Sequence, residues 1–306
     1  NDTRWGKALE DPEAYERLNP VENAARLMNR FDPALPDIRL LVIFGVEAVQ
    51  NWYPDEPARS RYDLNDSLGI EKKAVKLWDA GYLNALVPSD LVNDGSLTLN
   101  DDNRPVLNGH VFDAVGYLYP QYSKQPAMDF LEQYAANGGK LMLVGDASHD
   151  FRARDASAWY ARLEELATVT GFDIGDIERL GVSKNRHDDY CANEDGSRVL
   201  TDLDSLRSGR EARFELEIGG DTWSGSQTGF AAIATGEDGS LERFTATGGR
   251  ELSRNGERLL ELERATDLFI VKNADGYRLE LLDATGDNSV MLNHLDAGNP
   301  APKTEQ

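Results

Sequence analysis

An acid, a hydroxyl and an imidazole stand within four positions of one another in the segment Gly145-Asp-Ala-Ser-His-Asp. Such side chains can form a hydrolytic group, in which a carboxylate orients a histidine and the histidine activates a hydroxyl. The segment lacks the Gly-x-Ser-x-Gly pattern of a nucleophile elbow, since Gly145 is followed by Asp. Asp146, Ser148 and His149 are therefore candidate ligand contacts. The alternative is a solvated loop whose Asp or Ser caps the next helix.

Aromatic side chains with polar tips form a second group of candidates. Two tyrosines end an apolar run and are followed by Gln121 and Tyr122, while Trp52 and Tyr62 lie in a long irregular segment. Aromatic rings stack on the C–H faces of sugars, and neighbouring hydroxyl and amide groups hydrogen-bond the sugar hydroxyls. Tyr117, Tyr119, Gln121 and Tyr122 are candidate carbohydrate contacts, as are Trp52 and Tyr62 of the irregular segment. The alternative is that they pack under a helix or anchor the loop.

Thiol, metal and paired-carboxylate chemistry have no distinctive pattern in this chain. The one cysteine, Cys191, excludes an internal disulfide, and the polar segment that it shares with His187 predicts a loop. The four histidines have no zinc spacing, and the Asp-Asp pairs do not follow the EF-hand pattern. Among 54 acidic residues a carboxylate pair is found anywhere, so none is assigned to glycoside hydrolysis. We predict no catalytic residue, no metal site and no cofactor.

The elements that must position the candidates are those of a parallel sheet covered by helices. Near-continuous apolar runs at 38–46, 114–119 and 141–144 are typical of strands buried on both faces. Helical spacing at 67–80 and 127–137, each followed by glycine, alternates with these runs. The pattern predicts a doubly wound, mostly parallel α/β domain with a small hairpin at 97–107. The polar candidates would then lie at the carboxyl edge, where open α/β sheets bind ligands.

The second half of the chain has a different texture. After about residue 171, short segments of period two alternate with Gly-Gly, Asp-Gly and Asn-Gly pairs. This spacing predicts strands of an antiparallel β-sandwich. The predicted organisation is a helical lead-in at 1–36, the α/β domain at 37–182, a linker at 183–210, the β-sandwich at 211–296 and a disordered tail at 297–306.

Charge restricts the partners of this chain. Its 306 residues carry a net charge of −22, and arginine outnumbers lysine. An acidic field repels phosphate backbones and anionic lipids, so we predict no nucleic-acid and no membrane partner. The chain begins at Asn1 without an apolar leader, which indicates a removed signal peptide or a piece of a longer chain. We predict a secreted or periplasmic protein.

Several short motifs together resemble a known accessory domain. They are Leu86-Val-Pro-Ser-Asp, Val106-Leu-Asn-Gly-His, Phe112-Asp-Ala-Val, Tyr119-Pro-Gln-Tyr and Gly138-Gly-Lys-Leu-Met-Leu-Val-Gly. Residues 37–175 are similar to the class I glutamine-amidotransferase-like, flavodoxin-type domain of large bacterial glycoside hydrolases, known as the trimerisation domain in some β-galactosidases. In such enzymes this domain follows a catalytic (β/α)8 barrel and precedes a small β-sandwich.

The resemblance implies carbohydrate as the ligand and a (β/α)8 barrel of the same polypeptide as the partner, with a homo-oligomer as the assembly. It carries over no glutaminase activity, since the elbow after the core strand has no cysteine, and no glycosidase carboxylate, since those lie on the barrel. The leading expectation is a non-catalytic region that supports oligomerisation or shapes a neighbouring glycan-binding site. The alternatives are a stand-alone carbohydrate-binding protein and an autonomous hydrolase that uses Asp146, Ser148 and His149.

Overall fold

The computed structural model of this chain describes residues 12–51, 68–274, 276–282 and 290–292. The helices are, in chain order, α1 (Pro12–Phe31), α2 (Val46–Asn51), α3 (Ile70–Asp79), α4 (Asp90–Asn93), α5 (Gln125–Ala136), α6 (Ser157–Leu166), α7 (Ile174–Leu180) and α8 (Leu203–Ser208). The strands are β1 (Leu40–Phe44), β2 (Asn84–Pro88), β3 (Leu97–Leu99), β4 (Pro105–Leu107), β5 (His110–Val111), β6 (Ala114–Leu118), β7 (Lys140–Val144), β8 (Val169–Thr170), β9 (Cys191–Ala192), β10 (Arg198–Thr201), β11 (Ala212–Ile218), β12 (Asp221–Gln227), β13 (Phe230–Thr235), β14 (Leu241–Arg254), β15 (Glu257–Asn273), β16 (Gly276–Leu281) and β17 (Val290–Leu292). In these ranges no helix has the length and apolar composition needed to cross a membrane.

Residues 37–186 form one compact unit, which we call the α/β unit. Five of its strands form a fully parallel sheet in the order β2-β1-β6-β7-β8. Numbered by their own sequence, the strands follow the order 2-1-3-4-5, which is the flavodoxin-like arrangement. The predicted parallel α/β class is confirmed.

Helices cover both faces of this sheet because alternate strand residues point to opposite sides. Leu41 and Ile43 of β1 belong to a core with helices α5 and α6, whereas Leu40 and Val42 belong to another core with α3 and α7. All four of these side chains are fully buried. The sheet therefore has the doubly wound form that the apolar runs predict.

The predicted hairpin is present as a small antiparallel sheet. Strands β3 and β4 pair from Leu97–Leu107 to Leu99–Pro105, and β5 adds a third strand at the edge of β4. Leu97 is 2% exposed and packs in the core on the α5 side of the parallel sheet.

The second compact unit, the β unit, comprises the described parts of residues 1–36 and 187–306. Its nine strands form an antiparallel sheet in which β14 pairs with β12, β13 and β15. The register of the long β14–β15 pair shifts between Ala246 and Gly249 and again between Gly249 and Glu251. Such bulges bend strands and increase their twist, and the sheet is strongly curled into a half-barrel. The predicted antiparallel β fold is confirmed, and its strands form one curled sheet.

Helix α1 packs within the β unit, although it precedes the α/β unit in the sequence. Leu27 and Phe31 are fully buried and contact Phe230 and Phe269 of the sheet. Arg243 also donates to the Phe31 carbonyl oxygen over 2.8 Å. The segment predicted as a linker, 183–210, contains β9, β10 and α8, and β10 pairs with β13 of the curled sheet.

Candidate functional site

The ends of β1, β6 and β7 meet at Tyr119, at the carboxyl edge of the parallel sheet. Strands β1 and β6 are neighbours, but their following strands lie on opposite sides, which makes this the switch point of the fold. Tyr119 has a left-handed backbone (φ 61°) and its N–H donates to the Val144 carbonyl oxygen over 2.7 Å. A Cβ at Gly45 would lie 2.1 Å from the Tyr119 carbonyl oxygen, so only glycine allows this approach.

The side chains of Tyr117 and Tyr119 are used for packing. Tyr117 is fully buried, and burial raises the pKa of its phenol to about 12. The Tyr119 hydroxyl donates to the Leu68 carbonyl oxygen and accepts from Lys73 Nζ over 3.0 Å. Tyr117 and Tyr119 therefore follow the alternative interpretation, in which the aromatic residues pack within the protein.

Gln121 connects the loop after β6 to the loop after β7. Its Oε1 accepts from the backbone N–H groups of Ser148 and His149 over 2.6 and 3.1 Å. Its Nε2 donates to Ser148 Oγ over 2.8 Å. One amide side chain thus makes three hydrogen bonds to two consecutive residues, which fixes the two loops relative to each other.

Tyr122 and His149 complete a surface that we call the rim, formed by Gln121, Tyr122, Ser148 and His149. The two rings stack with centroids 6.4 Å apart and planes inclined by 25°. Tyr122 has a left-handed backbone (φ 62°), and its N–H donates to the His149 carbonyl oxygen over 2.9 Å. Ser148 and His149 are exposed, and the other two side chains are half-buried. The rim presents an aromatic pair beside fixed hydroxyl and amide groups.

Asp146 does not join a catalytic triad with Ser148 and His149. Ser148 Oγ lies 2.9 Å from His149 Nδ1, but within the described residues no hydrogen bond links Asp146 to the imidazole. The Asp146 carboxylate instead adds to burial and to Glu164 in raising the pKa of Tyr160. The structure brings together four of the predicted site residues and leaves Asp146 exposed beside them.

The loop after His149 is held by its own polar contacts. Asp150 Oδ1 accepts from the backbone N–H groups of Arg152 and Arg154 over 2.8 and 2.9 Å. The Arg154 guanidinium donates to Asp150 Oδ2 over 2.6 Å, and this contact lowers the pKa of the Asp150 carboxyl. The backbone N–H of Phe151 donates to the Ser123 carbonyl oxygen over 3.1 Å. The rim therefore sits on a loop with fixed geometry.

A buried carboxylate at the same edge was missed by the sequence reasoning. Glu47 is 1% exposed and accepts from Ser89 Oγ over 2.7 Å and from Asn93 Nδ2 over 3.0 Å. Lys124 Nζ lies 3.2 Å from Glu47 Oε1, and this bond raises the pKa of the lysine. The sequence does place Glu47 in the first turn of helix α2, which begins directly after Gly45. An acid at this position normally predicts an exposed charge that stabilises the helix, so it gave no sign of burial.

The other candidates can be placed in part. Trp52 and Tyr62 lie outside the described residues. Cys191 is a half-buried residue of β9, and His187 stacks on Tyr190 with centroids 4.5 Å apart. Over the described ranges, no group of three or more His, Cys, Asp or Glu side chains is arranged to hold a metal ion.

Comparisons with known proteins include a distant similarity to a solved structure. Neither a protein-family model nor a curated protein matches the chain. A crystal structure of an apo exo-carrageenase GH42 from Bacteroides ovatus is similar with a TM-score of 0.34 and 10% sequence identity. The similarity covers 84% of this chain and 29% of that chain. Similarity of this size does not assign a function.

Proposed function

We propose that this chain is a non-catalytic region of a carbohydrate-active enzyme and that its rim contacts a saccharide. The supporting observation is the set of three hydrogen bonds from Gln121 to Ser148 and His149. These bonds hold polar groups and a stacked aromatic pair in place before any ligand arrives, which lowers the entropic cost of binding. They do so at the carboxyl edge of the sheet, beside the switch point between β1 and β6, and doubly wound sheets bind ligands at this edge.

The chemistry of the rim fits a sugar better than an anion or an apolar ligand. A half-buried tyrosine stacked on an imidazole offers a ring face to sugar C–H groups. After these internal bonds, Gln121 Nε2 keeps one N–H as a donor and Ser148 Oγ keeps one acceptor position for sugar hydroxyl groups. Because the rim is one open surface, it would form one wall of a site completed by a neighbouring catalytic domain, as the resemblance to glycoside hydrolase accessory domains implies.

The proposal also includes the assembly of the chain, its partner domain and its location. A homo-oligomer and a barrel of the same polypeptide follow from the same resemblance. The net charge of −22 and the excess of arginine over lysine support a secreted or periplasmic location. Gel filtration with light scattering tests the oligomer directly, and an open reading frame that lacks an upstream barrel would contradict the accessory role.

Saccharide titration of the whole chain, followed by ¹H–¹⁵N NMR, tests the proposed contact. We expect dissociation constants of about 1 mM, near −4 kcal/mol, because an open rim encloses only part of a sugar. Tyr122→Ala should abolish the shifts at Ser148 and His149. The matched control is Tyr190→Ala, since Tyr190 is also stacked on a histidine but lies in the β unit. Micromolar binding at the rim would instead favour a stand-alone carbohydrate-binding protein.

Hydrolysis is a second candidate because Ser148 Oγ and His149 Nδ1 are 2.9 Å apart. A serine nucleophile needs such a base within hydrogen-bond reach. Turnover of ester and glycoside substrates by the wild type, lost in both Ser148→Ala and His149→Ala, would establish this activity. Equal background rates in all three proteins are expected from the accessory role.

A further inference from the structure

A cavity of about 450 Å³ lies within the β unit, between helix α8 and strands β10, β11 and β12. This volume is in the range of small-molecule sites and accommodates one or two sugar rings. Its lining includes Phe214 and Leu203 as apolar surface, with Gln227 as a buried amide. None of these residues belongs to the rim, so the cavity is independent of the function proposed above.

Gln227 is the residue that points to a ligand. It is 4% exposed, and its Oε1 accepts from the Gly229 backbone N–H. None of the described residues accepts a hydrogen bond from its Nε2, although this group belongs to a side chain that lines the cavity. Gln227 Nε2 is not among the fully enclosed polar atoms that lack a partner in the described residues, so solvent reaches it, and a ligand acceptor in the cavity would take the place of that water.

The wall of the cavity is fixed around this amide. Gly229 has a left-handed φ of 118°, and a Cβ there would lie 2.3 Å from Leu206 of α8. The Gly229 carbonyl oxygen accepts from the Asp202 backbone N–H over 2.8 Å, at the start of the same helix. One glycine therefore positions both the Gln227 amide and the helix that forms the opposite wall.

The charges around the cavity select the class of ligand. Four aspartates (188, 189, 202 and 204) and two arginines (207 and 213) line it, so the lining is net acidic and disfavours an anion. Carboxylates accept hydrogen bonds, while guanidinium and amide groups donate them. A ligand that has hydrogen-bond donors and acceptors on several sides can pair with both kinds of group in this lining. Leu203, which is 56% exposed, offers apolar surface for the C–H face of such a ligand.

We propose that this cavity binds a small neutral saccharide, with Gln227 Nε2 and Arg207 as donors to its oxygen atoms. The site would let the β unit hold a glycan independently of the rim. Its ligand would be a mono- or disaccharide and not a sugar acid, because the cavity is net acidic.

The test is site-resolved ¹H–¹⁵N NMR of the whole chain with neutral mono- and disaccharides up to about 20 mM, the range that detects a millimolar Kd. We expect shifts at Gln227, Leu203 and Gly229 and a dissociation constant of about 1 mM or below. Arg207→Ala should weaken binding about tenfold, because a charged donor is lost. Arg210→Ala, which changes an exposed arginine outside the lining, is the matched control.

Gln227→Glu removes the donor and keeps an oxygen that accepts from the Gly229 N–H, and it should abolish binding. Arg207 is exposed, so its replacement keeps the test valid if the Gln227 variant does not fold. Absence of shifts at the cavity with every saccharide would overturn the proposal. So would shifts with glucuronate or with spermidine alone, because these would assign an anionic or a cationic ligand. Shifts at the rim alone would support the proposed function and reject this site.

Discussion

Replacing Gln121 by alanine tests whether one side chain fixes the two loops of the rim. The change removes the hydrogen bonds at 2.6, 2.8 and 3.1 Å to Ser148 and His149. A net hydrogen bond contributes about 0.5–1.5 kcal/mol. Because Ser148 and His149 are exposed, water replaces part of what is lost. We expect Gln121→Ala to lower the free energy of unfolding of the α/β unit by about 1–2 kcal/mol.

Gln125→Ala is the matched control for this change. Gln125 lies four residues away and donates to Asp129 Oδ1 over 2.8 Å on the exposed surface of helix α5. Such a pair contributes about 0.2–0.5 kcal/mol to a helix. Urea unfolding gives the free energies, and amide hydrogen exchange gives the protection of the Ser148 and His149 N–H groups. Only Gln121→Ala should lower this protection.

Two results would refute the reasoning about Gln121. One is a loss of unfolding free energy that equals the loss in Gln125→Ala. The other is unchanged exchange at the Ser148 and His149 amides, which would mean that the loops hold their positions without the Gln121 side chain.

Three further predictions concern the carboxyl edge. Gly45→Ala should lower the free energy of unfolding, measured in urea, by about 3 kcal/mol or more, because the added Cβ would lie 2.1 Å from a backbone oxygen. The control is Gly175→Ala, which should cost far less because its Cβ meets only a side-chain oxygen at 3.3 Å. Glu47→Gln should cost about 1–3 kcal/mol by the same measurement, because one buried carboxylate oxygen becomes an NH2 donor and the negative charge facing Lys124 is lost. A cost near zero would mean that water reaches this network. Asp150→Asn should lower the melting temperature at pH 7, and the difference from the wild type should shrink as the pH falls below about 4. The sign follows from the lowered pKa of Asp150: its contribution is present above the unfolded pKa and is lost as the folded carboxyl is protonated; a difference that is constant with pH would contradict this contact.

The parallel sheet could be predicted because its signals are local. The apolar run at Leu40–Phe44 is long enough for a strand buried on both faces. Glycines at 81 and 138 follow helices and have φ values of 95° and 80°, which end a helix without strain. The meeting of polar loops at one edge then follows from the parallel direction of the strands.

The curled sheet was harder to predict because its strands lack a simple alternation. Strand β12 (Asp221–Gln227) is rich in serine, threonine and glycine, a composition that does not indicate a strand. Strand β15 (Glu257–Asn273) contains a charged stretch, so the sequence predicts two short strands where the structure has one long strand. The packing of α1 in the β unit depends on contacts distant in sequence, which no local pattern contains.

The sequence predicts where the candidate site lies, but it does not predict how the side chains of the site are arranged. The sequence places Gln121 and Ser148 at neighbouring strand ends, but the direction of the Gln121 amide depends on the left-handed backbone at Tyr122 and on hydrogen bonds across 27 residues. Glu47 was missed because a buried acid and a surface acid look the same in sequence. Its burial follows from Ser89, Asn93 and Lys124, which come from other parts of the chain.

The most direct test of the central claim is an NMR titration of the wild-type chain with a saccharide panel, in which protein and sugar signals are recorded in the same samples. The accessory role predicts shifts at Gln121, Tyr122, Ser148 and His149, together with sugar signals that stay unchanged over time. Sugar signals that convert to hydrolysis products would contradict a non-catalytic role. The absence of shifts at all four residues would contradict the saccharide contact.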